Sequence, residues 1–351
     1  MAVLGGLAPT YLDHARRMDP DGKIARIINI LSQTNDILKD MVVVEGNLPT
    51  GHQTTVRTGI PTATWRLLNQ GVSPTKSTTA QITDAAGMLE TFSDIDVDLA
   101  MLNGNTAEFR MSEDMAFLEG MNQQMASAYI YSNAMSTPNQ IMGLAPRFST
   151  VNTATAQSAN NVIDAGGTGS TNTSMWIVAW GNDTVHGFFP KGSVAGLQHQ
   201  DLGTQTRSNG AFGSQTLLQV LTTRYQWKTG LAVRDWRYAV RVANIDVTQM
   251  LTGNAPNLLN ALIRGLGKIP TLPSGSGPVQ QTDAPDGGQA GAGRAAIYVN
   301  RVIRTYLDIQ ATNKTNVLLQ MGEFAGQVVT MFRGVPVRTV DALLNTESRV
   351  V

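Results

Sequence analysis

Few residues in this chain have types and spacings that could do chemistry. Asp94, Asp96 and Asp98 alternate with apolar residues inside Leu89–Leu102. Carboxylates at alternate positions are how a calcium-binding loop begins, but such a loop needs Gly at its sixth position and Glu at its twelfth, where this chain has Leu99 and Asn105. The four histidines, His14, His52, His186 and His199, are scattered, with no pair at ligand spacing. The run GAGRAA at Gly291–Ala296 has the glycines of a dinucleotide loop, yet it precedes a strand-like run instead of joining a strand to a helix. GLGKI at 265–269 lacks the hydroxyl that a phosphate loop offers to magnesium, and its upstream glycine is replaced by Leu262. There is no GxSxG elbow, and the absence of cysteine removes thiol nucleophiles, Cys-ligated zinc and disulfides together. The expectation is a protein that is not an enzyme, with no catalytic residue, no cofactor and no metal.

The elements around these residues say more. Ile24, Ile27, Ile28, Leu31, Leu38 and Met41 recur at three- and four-residue spacing, which predicts a helix over Lys23–Met41 with Asp21 as its cap. From Glu45 to about Gly87 the chain turns rich in Thr, Gly and Pro, with strand-like stretches at His52–Thr58 and Thr78–Thr83. These read as an extended hairpin without an apolar face to fold back on its own domain. An isolated ribbon of that kind is marginal in water, so it is either an arm ordered by a neighbour or a surface loop. The alternation in Leu89–Leu102 predicts a strand carrying its three aspartates on one face. Ser112 then caps a long helix to about Asn133, whose seam holds Met111, Met115, Leu118, Met125 and Tyr129. Methionine suits a surface that accepts slightly different partners, although ordinary core packing would look the same in sequence. Further along, Met175–Trp180 reads as a buried strand, and Thr216–Asp246 as two long strands joined near Lys228–Gly230. Leu258–Gly267 and Arg301–Thr312 read as helices, Ala295–Val299 as a strand, and Gln327–Val340 as a final strand pair turned at Gly334.

Composition narrows the function class. The 351 residues carry 15% charged side chains and a formal net charge of zero. Soluble monomers usually keep their charge away from zero to resist association, so this balance fits a protein that associates. No run of Lys or Arg favours nucleic acid or anionic membrane, no stretch of about 18 apolar residues spans a bilayer, and the N-terminal residues do not read as a secretory signal.

Four runs resemble one family. DPDGKIARIINILSQTNDILKDMVVVEGNLPTGHQTTVRTGIPTATWRLLNQGV, MSEDMAFLEGMNQQMASAYIYSN, RYQWKTGLAVRDWRYAVRVANID and FRGVPVRTVDALL are similar to stretches of the major capsid proteins of tailed bacteriophages, which share the Hong Kong ninety-seven capsid fold. The resemblance runs from Asp19 to about Leu344 and is weakest over 149–210 and 270–294. It implies an α+β fold with an N-terminal arm (1–45), an extension-loop hairpin (46–88) and a peripheral domain (89–148) containing a spine helix at 112–133. It further implies an axial domain beginning at 149–210, a long strand pair of the peripheral domain at 211–247, and the axial remainder with closing strands at 248–351. In that family the extension loop lies across an adjacent subunit.

The implied function is self-assembly as pentamers and hexamers into an icosahedral head that encloses double-stranded DNA, located in the virion and assembled in the host cytoplasm. The implied partners are other copies of the chain, a separate scaffolding protein, a portal protein, a decoration protein and packaged DNA held weakly and without sequence preference, with no membrane. A separate scaffold is expected because only about 20 residues precede the first predicted helix, where some relatives begin with a long helical scaffold domain. Candidate intersubunit contacts are Arg57, Trp65, Arg66 and Gln70 in the hairpin, Asp94, Asp96 and Asp98 as acceptors for the arginines, and Met115 and Met125 on the long helix. An encapsulin-like shell housing enzymes and a soluble enzyme without recognisable motif are the alternatives.

Overall fold

Strands with unbroken apolar runs are those covered on both faces, and in the computed structural model NTSMWIVAW behaves that way: every residue of β6 (Asn172–Trp180) is buried. The structure describes residues 32–101, 106–209, 216–252, 256–270, 294–312, 319–324 and 327–351. In chain order its strands are β1 (Val43–Glu45), β2 (Gly51–Gly59), β3 (Thr78–Ala85), β4 (Gly87–Asp96), β5 (Val162–Asp164), β6, β7 (Val185–Phe189), β8 (Leu197–Asn209), β9 (Thr216–Val233), β10 (Ala239–Asp246), β11 (Arg294–Val299), β12 (Leu319–Phe324), β13 (Gln327–Phe332) and β14 (Val335–Thr339). Among the described residues, the helices longer than two turns are α1 (Thr106–Tyr131), α2 (Leu258–Leu266) and α3 (Arg301–Thr312). Strands and helices alternate irregularly, as in an α+β protein.

The chain forms two compact units, Thr34–Gly87 with Ala126–Ala195 and Thr229–Val351, and Met88–Met125 with Gly196–Lys228. The larger is built around β6, which pairs antiparallel with β10 on one side and β11 on the other; β5 continues parallel from β10, and β14 from β11. β7 joins the end of β6 and pairs with β1 in parallel and with the last residues of β9 antiparallel. Leu258, Leu259 and Leu262 of α2 and Ile303 and Leu307 of α3 are buried with this sheet's core. Gly265 lets α2 approach closely, since a Cβ there would lie 2.6 Å from Ile177 Cδ1. Arg333 and Gly334, both at positive φ, make the tight turn between β13 and β14, as the Gly334 signal predicts.

A buried polar knot ties three elements of this unit to the C-terminal segment. Arg241 on β10 reaches Glu347 at 2.9 Å, donates to Ser174 on β6 (3.1 Å) and to the Phe148 carbonyl (2.9 Å), and lies over the Trp176 ring. The Tyr131 hydroxyl, at the end of α1, donates to the other Glu347 oxygen at 2.5 Å and accepts from the Leu344 amide. Burial pushes the Tyr131 hydroxyl well up, with the Glu347 carboxylate adding to the effect, so it stays a donor.

The smaller unit contains β4, most of α1, and the antiparallel ribbon β8–β9 paired from Leu197↔Trp227 to Asn209↔Thr216. Its core is modest: Ile95, Leu99, Ala100 and Phe109, with Leu221 packed against them.

The structure corrects several expectations. Residues 23–31 of the predicted first helix lie outside the described residues, as do its Asp21 cap and the 271–293 part of the Gly/Pro loop; within the described part, 32–41, only Ile37–Asp40 is helical. Ser112 is not a cap, because α1 begins at Thr106 with Glu108 in its first turn. The strand from Leu89 ends at Asp96, whose Oδ1 accepts the Asp98 amide at 2.9 Å and opens a helical turn over Val97–Met101. The three carboxylates therefore do not share a strand face. β9 runs straight through Lys228–Gly230 and turns only at 234–238, where Asp235 caps a short 3-10 turn. Gly230 is glycine for packing: a Cβ would fall 2.3 Å from Phe188 Cζ. The long partner of β9 is β8, whose sequence LQHQDLGTQTRSN is too polar to read as a strand by hydrophobic alternation.

Candidate assembly interface

The hairpin packs on the rest of the chain at its root and is exposed beyond it. β2 pairs with β3 from Gly51↔Ala85 to Gly59↔Thr78, with a bulge between Arg57 and Gly59. Its strands cover the predicted His52–Thr58 and Thr78–Thr83, and between them 60–77 forms no strand. The root is packed: Gly51 meets the Asp84 backbone so closely that a Cβ would lie 2.3 Å from the Asp84 carbonyl oxygen, and the Asp84 side chain accepts from Arg147 at 2.7 Å. Beyond the root, every residue from 60 to 83 is exposed.

Apolar side chains at this tip are the notable feature. Trp65 is fully exposed, and Ile60, Leu67, Leu68 and Val72 are more than half exposed. The backbone is locally ordered by the Gln70 amide donating to the Leu67 carbonyl at 3.1 Å, by Asn69 at positive φ, and by Thr75 donating to the Thr62 carbonyl at 3.3 Å. Among the described residues, Arg57, Arg66 and Gln70 point no side-chain hydrogen bond or ion pair at another residue, and all three are exposed. Between Glu45 and Asp84 the chain has three cations, Arg57, Arg66 and Lys76, and no carboxylate. An apolar tip on a cationic stalk is complementary to an apolar surface bordered by acids.

The other predicted contacts divide. Met115 is 62% exposed on α1, next to an equally bare Met111. With Leu118, Tyr225, His199, Arg110, Asp114 and Asp201 these methionines line an open groove in the smaller unit. Met125 is 3% exposed and Tyr129 is fully buried, so the C-terminal half of the predicted seam is core. That removes Met125 from the contact set. Asp94 is committed within its own chain, accepting from Thr222 at 2.5 Å and lying 3.4 Å from Arg207 Nε. Asp96 holds the Asp98 amide, and only Asp98 is exposed. Sequence reasoning singled out Trp65 but passed over Ile60, Leu67, Leu68 and Val72, although isolated large apolar residues in a polar segment were the available signal.

Among the described residues no group of three His, Cys, Asp or Glu side chains could hold a metal ion. Among them also, no helix is long and apolar enough to cross a membrane.

The family model described as "Major capsid protein GP7" matches residues 19–351. The chain belongs to that family. A chain of bacteriophage Epsilon15, from a near-atomic-resolution cryo-EM structure, is 34% identical to it, with a TM-score of 0.75 over 100% of this chain and 99% of that one. More distant likenesses include the capsid of a native GTA particle (12% identity, TM-score 0.45, covering 64% of this chain and 95% of that one) and an encapsulin complex of Synechococcus elongatus (10%, 0.41, 69% and 98%). At that distance neither bears on function. No curated protein matches the sequence. The protein is thus a phage major capsid protein with the tailed-phage capsid fold, a component of the virion head, and the bare hairpin tip belongs to a chain made for association.

Proposed function

We propose that copies of this capsid protein assemble as pentamers and hexamers into an icosahedral shell around double-stranded DNA, each copy fastened by its hairpin draped over an adjacent one. The observation that carries the reading is the tip: Trp65, Ile60, Leu67, Leu68 and Val72 expose their apolar surface on a ribbon that has no core of its own. Large aromatics in such positions become interface anchors when a partner desolvates them. Met111 and Met115 offer a deformable surface of the kind that quasi-equivalent contacts need. Weak individual contacts suffice, because a subunit held at several sites at once gains from all of them.

The role is structural and non-enzymatic, and assembly takes place in the host cytoplasm with a separate scaffolding protein. A portal protein and a decoration protein complete the head. DNA contact is weak and sequence-independent, since a zero net charge and scattered cations give little counterion release.

The test is Trp65→Ala, assayed by sedimentation and electron microscopy with the scaffolding protein co-expressed. The variant should stay soluble and folded while the concentration needed for shells rises about 30-fold, the equivalent of roughly 2 kcal/mol at one anchor. Shells at the wild-type concentration would overturn the hairpin's role. Uniform shells from the wild-type chain alone would remove the scaffold from the proposal.

A further inference from the structure

The hairpin's root contains two imidazoles with almost nothing to bond. His52 on β2 and His186 on β7 meet edge to face, with ring centroids 5.3 Å apart and planes at 82°, and Phe188 lies 5.5 Å from His52. His186 is 1% exposed, and among the described residues neither of its ring nitrogens has a hydrogen-bond partner of good geometry; His52 Nδ1 is buried in the same condition. The backbone here sets the hairpin's exit from the sheet. β1 pairs with β7 at Val43↔Gly187, the Gly46 amide donates to the Phe189 carbonyl, and the chain enters β2 five residues later. The two rings therefore sit where the ribbon is fastened to the sheet.

Charged groups around the pair leave little to receive an imidazolium. Asp183, from the β6–β7 turn, is held by Arg234 at 3.0 Å, and Arg234 also donates to the Asn182 carbonyl. Asp84, opposite His52 in the β2–β3 register, is held by Arg147 through Oδ1 and keeps only Oδ2 free. Burial pushes His186 down to about 4, with His52 and then Arg234 adding to it against the weaker pull of the Gly181 carbonyl and Asp183. His52 is lowered too, by burial and by Arg234, with Asp84 opposing.

We propose that the His52–His186 pair is a pH-operated fastener at the hairpin root, which holds β2 on β7 while both rings are neutral and lets the root open when they are protonated. The device belongs to the single subunit and stands whether or not the hairpin tip reaches another copy. Its sign follows from the depressed folded-state value: a histidine of ordinary value near 6.5 in the open root binds a proton that the closed root refuses. The fastening is complete above about pH 6.5 and is lost progressively as pH falls from there toward about 4.

Hydrogen exchange by mass spectrometry on the full-length unassembled subunit tests this, with rates corrected for the intrinsic effect of pH. Between about pH 7.5 and about pH 5, protection of peptides covering 43–59 and 78–87 should fall on the order of tenfold or more, while β6 and β10 peptides hold theirs. His186→Phe should reduce that fall to about twofold or less, and His52→Gln should reduce it by a smaller factor, because burial still holds His186 down. Should His186→Phe fail to fold, His52→Gln together with titration of both imidazoles by NMR in the wild type decides the matter. Root protection that does not change with pH, that changes equally in the variants, or that is lost only together with β6 and β10, would overturn the proposal.

Discussion

Trp65 and Trp176 show how far one residue type can diverge. Trp176 is 1% exposed, edge-on to Phe148 and covered by the Arg241 guanidinium, whereas Trp65 is fully exposed. The difference was legible locally. MWIVAW is a continuous apolar run, while ATWRLL stands in a polar stretch that offers nothing to cover its tryptophan. What no local reading reaches is the knot of Arg241, Glu347, Ser174 and Tyr131, because its members are up to 216 positions apart and each alone looks like an ordinary surface residue. Its arginine and carboxylate are each about 5% exposed, so removing one leaves the other charged and unpaired in the core. Glu347→Ala should cost about 3–5 kcal/mol, read as a lower urea midpoint of the isolated subunit, and replacing both partners by apolar residues of similar volume should recover much of that loss. A midpoint within experimental scatter of wild type would show that water reaches Arg241.

At the scale of elements, what could be read from sequence was whatever carries its signal within a dozen residues. β2 and β3 announce themselves by β-branched content, α2 and α3 by their apolar spacing, and the β13–β14 turn by Gly334. The failures have physical causes. Gly230 looks like a turn but is a close approach to Phe188, β8 is polar because it is a largely exposed strand added to the edge of β9, and Asp96 ends a strand by capping the turn that follows. The α1 seam was ambiguous because methionine serves cores and contact surfaces alike, and the helix uses it for both: Met111 and Met115 are bare, Met121 and Met125 are buried. The hairpin yields its own prediction. Replacing 60–77 by an Asn-Gly turn between β2 and β3 removes only exposed residues, so thermal stability of the subunit should change by less than about 1 kcal/mol while shell formation is lost. A large drop in stability would mean that the tip supports its own chain, contrary to its exposure.

For the whole molecule, zero net charge, low charged-residue content and an apolar tip left exposed by the described residues point the same way, toward many copies in contact. Membership of the GP7 major capsid family gives that tendency a destination, the phage head. The family resemblance was readable because several of its marks, the extended hairpin, the long helix and the closing strand pair, are local in sequence. The surface proposed to receive the hairpin was not readable, because a single chain does not encode which of its faces a neighbour will meet within any one stretch. The most direct measurement is a cryo-EM reconstruction of the assembled shell at a resolution that traces side chains. The account predicts that Trp65 and Leu68 lie buried against an adjacent subunit, with Arg57 or Arg66 beside that subunit's carboxylates. A hairpin folded back on its own molecule, with Trp65 covered by its own chain, would contradict it.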